Sequence, residues 1–241
     1  MAWRSHGTSN ATLVSALQRN ALVSSPRVAA AMLATDRAHF VPDPAAAYLD
    51  SPQSLGHAAT ISAPHMHAAA CEALLPFLVE EAGEGKGKGE GRRVLDVGSG
   101  SGYLTAVFAA LVVGGGSASS DGSAGSDGSA NGAFGSKGGL VVGVEHIEAL
   151  REMGERNLGK SEVGRGWLGS GRVRFVLGDG RRGCRDDGGK WDAIVSLAIC
   201  LLSSVDWWLG WADISRLPQH VGAAAAGFQQ ELVDQLKAPG R

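Results

Sequence analysis

The chain has 241 residues, 44% of them hydrophobic and 19% charged, with a formal net charge of −2. That size and balance fit one folded domain with extensions around a substantial core. The near-neutral charge gives no reason to invoke nucleic acid or an anionic membrane as partner.

Taken from the N-terminus, NATLVSALQRN places Leu13, Ala16 and Leu17 on one helical face, with Asn10 or Thr12 available as a cap. Pro26 is suited to open a second helix through RVAAAMLATD. The four-proline segment 40–67 is expected to be a structured loop, and HAAACEALLPFL (67–78) a further helix. A Gly/charge spacer follows at 80–93. VLDVG (94–98) predicts a buried strand, and SGSGYLTAVFAALV a helix. Residues 114–139 are 26 residues of mostly Gly, Ser, Ala and Asp, which predicts a flexible loop. LVVGVEH (140–146) is the second strand, IEALREMGERNLGK a helix, RVRFVLGD (172–179) the third strand and WDAIV (191–195) the fourth. FQQELVDQLK (228–237) is an amphipathic helix. Alternating strands and helices imply an α/β fold whose parallel sheet is covered on both faces.

Cys71, Cys184 and Cys200 are scattered singly, with neither zinc spacing nor a disulfide framework. They predict a reducing compartment. The start MAWRSHGTSN has no basic and apolar signal pattern, and no apolar run reaches the roughly 18 residues of a membrane span. The expected location is cytoplasmic.

The motif with chemical content is DVGSGSG (96–102), which leaves the first strand and enters a helix. Gly98, Gly100 and Gly102 let a ligand approach the backbone, and the helix N-terminus favours an electron-rich group. A simple tight turn would use the same residues. Glu145 ends the second strand 47 residues beyond Gly98, and 21 residues once the 26-residue loop is removed. That corrected spacing puts an acid where a ribose diol would be held. The third strand ends in GDGR, placing Asp179 and Gly180 where an adenine edge could be read. The G-x-G-x-G spacing differs from the dinucleotide G-x-G-x-x-G, so a nicotinamide-dependent dehydrogenase is the runner-up on this motif.

D-x-G-x-G-x-G in this position resembles S-adenosylmethionine-dependent methyltransferases. MLATDRAHFVP, YLDSPQSLGHAATISAPHMHA and VLDVGSGSGYLTA together resemble the protein-L-isoaspartate O-methyltransferase family. GRVRFVLGDGRRG, WDAI, HVGAAA and LVDQLKAPGR continue the match in order. The resemblance implies a Rossmann-like class I methyltransferase sheet (80–241) behind an N-terminal region of helices and substrate-binding loop (1–79). It implies S-adenosyl-L-methionine as cofactor and no metal. The implied partners are isoaspartyl-containing proteins and peptides, not nucleic acid or membrane, met by a monomer. The implied reaction methylates the free carboxylate of L-isoaspartyl and, less well, D-aspartyl residues; the ester then closes to a succinimide, which hydrolyses partly to normal aspartate.

By the same resemblance Ser62 is the active-site serine. Thr60, Ile61, Ser62 and His67 match positions near cofactor and substrate. Asp96, Gly98, Ser99, Gly100, Ser101, Gly102, Glu145, His146, Asp179 and Gly180 match the cofactor shell. The residue types suit the chemistry. A carboxylate acceptor of pKa ~4 is ionised at neutral pH, so it needs alignment and desolvation more than a base. Ser62 would orient it by a hydrogen bond; the bland alternative is a serine capping the turn before Pro64. His67 is as well suited to a structural role as to a catalytic one. Asp36 and Arg37 form a buried pair or a solvated turn, with a structural role favoured.

VDWWLGWADI (205–214) holds Trp207, Trp208 and Trp211 inside a 25-residue interruption, 195–219, between the family's DAI and HVGAAA. Val-Ser at 195–196 can be encoded as a splice donor and Pro-Gln at 218–219 as an acceptor, so a retained intron is the favoured origin. A natural insertion and an aromatic partner-binding helix are the alternatives. VSLAICLL is apolar enough to carry the fourth strand on to Ile199. The chain stops at LKAPGR, where the family would continue to a fifth strand. The resemblance therefore predicts a C-terminally truncated sheet of four parallel strands, ordered 3-2-1-4, with the fourth as a bare edge. The competing functions are a repair methyltransferase, a non-catalytic or impaired isoform that at most binds cofactor or partners, and a small-molecule methyltransferase on the same turn.

Overall fold

The computed structural model describes residues 4–78, 91–113, 139–185, 189–196, 199–202 and 230–237. Most of the expected spacer at 80–93 and loop at 114–139 lies outside them. So do Trp207, Trp208, Trp211, most of the 195–219 insertion and the HVGAAA segment.

Helix α1 (Asn10–Arg19) is capped by Ser9, whose hydroxyl accepts from the Thr12 amide while the Thr12 hydroxyl accepts from the Ser9 amide. The cap is thus Ser9, not Asn10 or Thr12. Asn10 is the first helical residue, and its side-chain amide donates to the carbonyls of Met32 (2.9 Å) and Leu33. Those bonds tie α1 to α2 (Pro26–Ala34), which begins at Pro26 behind Ser25. Asp36 then opens a single 3-10 turn at Arg37–His39. The expected loop at 40–67 contains a second such turn, Pro44–Ala46, and an antiparallel hairpin of β1 (Gln53–Gly56) and β2 (Ala59–Ile61). Its reversal puts Gly56, His57 and Ala58 at φ +79°, +52° and +55°. Helix α3 (Pro64–Leu78) starts three residues earlier than its apolar run, because Pro64 is pre-shaped for the first helical turn.

The central sheet holds β3 (Arg93–Val97), β4 (Leu140–Glu145), β5 (Val173–Leu177), β6 (Ala193–Ser196) and β7 (Ile199–Leu202), in the order β5-β4-β3-β6-β7. The first four are mutually parallel, so the 3-2-1-4 order stands. The fourth strand does not run on to Ile199 and does not leave a bare edge. The chain reverses after Ser196, and β7 pairs antiparallel with β6, Ser196 opposite Ile199 and Ala193 opposite Leu202. Folding the apolar run back satisfies the outward N–H and C=O groups of β6, which a longer single strand would have left unpaired.

Helices α4 (Tyr103–Val112) and α5 (Glu148–Leu158) connect the parallel strands. An unforeseen α6 (Glu162–Gly169) precedes β5. Its three glycines argue against helix. The Ser161 hydroxyl caps it by accepting from the Gly164 amide, and Trp167 and Leu168 pack on the core. Strand alternation divides the core. Val94, Val141, Val173, Ala193 and Val195 face the helices, whereas Leu95, Val142, Val144 and Ile194 meet Trp191, Leu232 and Leu236 on the other side. Of the expected 228–237 helix, residues 230–237 are described, and among these only α7 (Gln230–Val233) is helical. Beyond it the backbone bonds to Trp191: Trp191 N donates to Gln235 O and Lys237 N to Trp191 O, an extended bridge that helix would forbid.

Candidate active site

The turn after β3 is built by its glycines. Gly98, Gly100 and Gly102 have φ of +80°, +52° and +84°, the left-handed region that side chains resist. The amides of Gly98 and Ser99 donate to the Val144 carbonyl (2.8 and 3.2 Å), fastening the turn across the top of β4. Gly102 is also needed for closeness: a Cβ there would sit 2.9 Å from the Phe175 ring and 3.0 Å from the Gly154 backbone. At Gly98 the same atom would meet nothing within 4 Å, because that residue faces open space.

Two carboxylates support the turn. Glu145, 4% exposed, accepts from the Gly100 amide at Oε2 (3.0 Å) and from the His146 and Ile147 amides at Oε1 (2.8 and 3.1 Å). Asp96, 3% exposed, accepts from the Thr105 hydroxyl at 2.5 Å. Burial pushes the Asp96 carboxyl up to about 6, against the Thr105 bonds and with help from the Glu145 charge.

The second wall comes from the β1–β2 hairpin and the start of α3. A small, partly open cleft is lined there by Leu55, Thr60, Ile61, Ser62 and His67. Opposite stand Asp96, Gly98, Ser99, Gly100, Ser101, Tyr103 and Leu104. Behind Ser62 lies Arg37, fully buried. Its Nη2 donates to the Ser62 carbonyl (2.7 Å), its Nη1 meets His67 Nδ1 (3.2 Å), and its guanidinium lies 5.1 Å from the Tyr103 ring centre. Burial first, then the Arg37 and His65 charges, hold His67 well below the ordinary histidine range. The same burial lowers Arg37 to about 10, which leaves it cationic at neutral pH.

Two hydroxyls in this cleft, Ser99 Oγ and Tyr103 OH, are buried with no hydrogen-bond partner among the described residues. A buried hydroxyl without a partner is costly, so both are suited to a ligand carrying polar groups.

Nine of the residues singled out from the sequence line this one cleft: Thr60, Ile61, Ser62, His67, Asp96, Gly98, Ser99, Gly100 and Ser101. Gly102 lies behind the turn, against Phe175. Glu145 is outside the lining and one hydrogen bond from Gly100. His146 is largely exposed, its Nδ1 3.0 Å from Glu145 Oε1. Asp179 is outside the lining too. Its carboxylate is held by Arg181, which donates from Nε (2.9 Å) and Nη2 (2.7 Å) and depresses it to about 2. Gly180 packs against Val97, where a Cβ would collide.

Asp36 and Arg37 do not pair. Asp36 accepts from the Tyr48 hydroxyl (2.9 Å), while Arg37 points into the core. Sequence reasoning missed Leu55, Tyr103 and Leu104 in the lining and the contact of Arg37 with Ser62. Tyr103 follows the glycine turn directly and could have been found there. Arg37, 25 residues from Ser62, carries no local signal.

Comparison with known proteins gives a consistent result. A family model described as protein-L-isoaspartate(D-aspartate) O-methyltransferase (PCMT) matches residues 8–201. The chain is 35% identical over 241 residues to a protein-L-isoaspartate O-methyltransferase of Caenorhabditis elegans, spanning 100% of this chain and 79% of that one. It is 36% identical over 233 residues to protein-L-isoaspartate O-methyltransferase 1 of Arabidopsis thaliana, spanning 96% and 75%. A crystal structure of a beta-aspartate methyltransferase (PCMT) from Plasmodium falciparum, in complex with S-adenosyl-L-homocysteine, superposes with a TM-score of 0.64. It is 23% identical, covering 96% of this chain and 81% of that one, and so establishes the shared fold.

Proposed function

Because this chain belongs to the protein-L-isoaspartate(D-aspartate) O-methyltransferase family, we propose that it methylates the free carboxylate of L-isoaspartyl and, less well, D-aspartyl residues in damaged proteins, using S-adenosyl-L-methionine. The observation that carries this reading is the meeting of Ser62 with the Gly98–Ser101 turn in one cleft that also holds the two unpartnered hydroxyls.

The residues fit the cofactor. Gly98 leaves open space beside the backbone, and the Ser99 hydroxyl awaits a partner. The Glu145 carboxylate braces Gly100 through Oε2, which among the described residues accepts from that amide alone and so keeps a lone pair, while the His146 and Ile147 amides and the His146 ring crowd Oε1. We assign the turn 96–102, Thr60 and Glu145 to holding the cofactor. His146, Asp179 and Gly180 enter that assignment through their place at the ends of β4 and β5. When bound, S-adenosyl-L-methionine supplies an electrophilic methyl on a sulfonium.

The chain's own part is orientation. The Ser62 hydroxyl, 7% exposed at the cleft wall, donates to one acceptor oxygen and aims the other. His67 is neutral and half of a wall, not a base, and none is required for a carboxylate already ionised. The apolar Leu55, Ile61 and Leu104 exclude water and so raise the nucleophilicity of the carboxylate.

The reading includes a monomer acting in the cytoplasm, away from nucleic acid and membrane. The net charge of −2 carries no bias toward nucleic acid or an anionic membrane, and no helix among the described residues is long and apolar enough to cross a membrane. The test is tritiated methyl transfer to an isoaspartyl peptide and to its aspartyl twin. Transfer to the first alone is expected. Equal labelling of both, or of neither, refutes the assignment.

A further inference from the structure

Arg37 is a cation with none of its side chain exposed and no carboxylate salt-bridged to it among the described residues. The two acids near it are engaged elsewhere. Asp36 accepts from Tyr48, and Asp50, whose charge favours the Arg37 cation from beyond ion-pair distance, accepts from the His65 ring (2.7 Å) and backbone. Burying a charge without a paired counter-charge is costly, and an apolar side chain of similar length would fill the space at lower cost. A purely space-filling arginine is therefore a poor account of this site.

What Arg37 does contact is specific. One arm of the guanidinium donates to the carbonyl of Ser62, the other faces Nδ1 of His67, and the plane sits over Tyr103. Tyr103 in turn lies 5.0 Å, centre to centre, from the His67 ring. Ser62, His67 and Tyr103 all line the cleft; Arg37 does not. Because a guanidinium only donates, His67 Nδ1 must be the acceptor, and the ring proton must sit on Nε2.

We propose that Arg37 is a positioning residue for methyl transfer, acting from behind the cleft wall by clamping the Ser62 backbone and holding His67 with its proton on Nε2. The inference rests on the function proposed above for its kinetic arm, and on the fold alone for its spectroscopic arm. The fork geometry is what matters: lysine offers a point charge and cannot serve both acceptors at fixed angles. Misplacing an orienting group by about 1 Å can cost on the order of 100-fold in rate without weakening binding elsewhere.

The experiment compares wild type with Arg37→Met, Arg37→Lys and Ser62→Ala, and adds Arg37→Met/Ser62→Ala. Arg37→Met should leave S-adenosyl-L-homocysteine affinity within about twofold by calorimetry while isoaspartyl turnover falls roughly 10- to 100-fold. Arg37→Lys should recover only part of it. The double variant should be little worse than Ser62→Ala alone, since both changes act through one serine. Side-chain ¹⁵N NMR of the wild type should show His67 protonated at Nε2 and bare at Nδ1, with mixed tautomers in Arg37→Met. Full turnover in folded Arg37→Met, or multiplicative losses in the double variant, overturns the proposal. A wild-type His67 carrying its proton on Nδ1 also overturns it, even if Arg37→Met fails to fold. A wild type inactive on the isoaspartyl peptide but with the Nε2 tautomer refutes the function and leaves the clamp standing.

Discussion

The amide of Gly100 donates to Glu145 Oε2 at 3.0 Å, bolting the turn after β3 to the end of β4 across 45 residues of chain. With the His146 and Ile147 amides on the other oxygen, one buried carboxylate gathers three backbone donors. Glu145→Ala removes all three acceptor contacts and should destabilise the protein by about 2–3 kcal/mol, with weaker adenosyl-ligand binding. Glu145→Gln retains a carbonyl acceptor and should lose less. Thermal unfolding and ligand titration of both variants check this.

Two glycines of the turn should respond differently to alanine. Gly102→Ala combines a left-handed backbone with collision against Phe175 and Gly154, and should cost about 3 kcal/mol or more. Gly98→Ala carries the same backbone strain but no collision, about 1–2 kcal/mol. Its methyl instead enters the cleft, so Gly98→Ala should weaken S-adenosyl-L-homocysteine binding more than its stability loss suggests. Denaturant titration beside calorimetry separates the two.

Ser99 Oγ and Tyr103 OH are buried without partners among the described residues. Removing an unsatisfied hydroxyl relieves a desolvation cost. Ser99→Ala and Tyr103→Phe should therefore leave the ligand-free protein as stable or more so, by up to about 1–2 kcal/mol. Both should bind their ligands less tightly. A fall in the ligand-free melting temperature would show that these hydroxyls already have partners.

Asp96 should give the fold a pH dependence. Its carboxyl sits at about 6 in the folded protein, raised by burial, against ~3.9 in an unfolded chain. The native state thus holds the proton more tightly. Its contribution to stability falls as pH rises from about 4 through about 6 and levels off near pH 7. Asp96→Asn removes this dependence. Relative to that variant, wild type should lose stability between pH 4.5 and 7, by at most about 3 kcal/mol. Denaturant unfolding at three pH values measures it; a constant difference contradicts the buried, raised carboxyl.

Local periodicity and turn chemistry made much of this fold legible. The short, near-continuous apolar runs of β3, β4 and β6 identify strands buried on both faces, as in a helix-covered parallel sheet. The glycine turn announces itself because only glycine tolerates three left-handed positions in five residues. Helix α6 was not legible, because its glycines oppose helix and only the Ser161 cap and the packing of Trp167 and Leu168 favour it. The reversal into β7 was hidden for a related reason: an apolar run serves a long strand or a hairpin equally well, and the exposed edge of β6 decides between them.

The sequence by itself determined the four parallel strands with α4 and α5 between them, the glycine turn, the serine segment and the family, all of which are written in short contiguous motifs. Only the tertiary structure decided that Arg37 reaches the Ser62 carbonyl and not Asp36, and that Glu145 braces the turn from outside the cleft lining. These are contacts between side chains and backbone whose partners are set by packing and desolvation. Charge and spacing along the chain leave several partners available, and the cost of burying each group unpaired selects one.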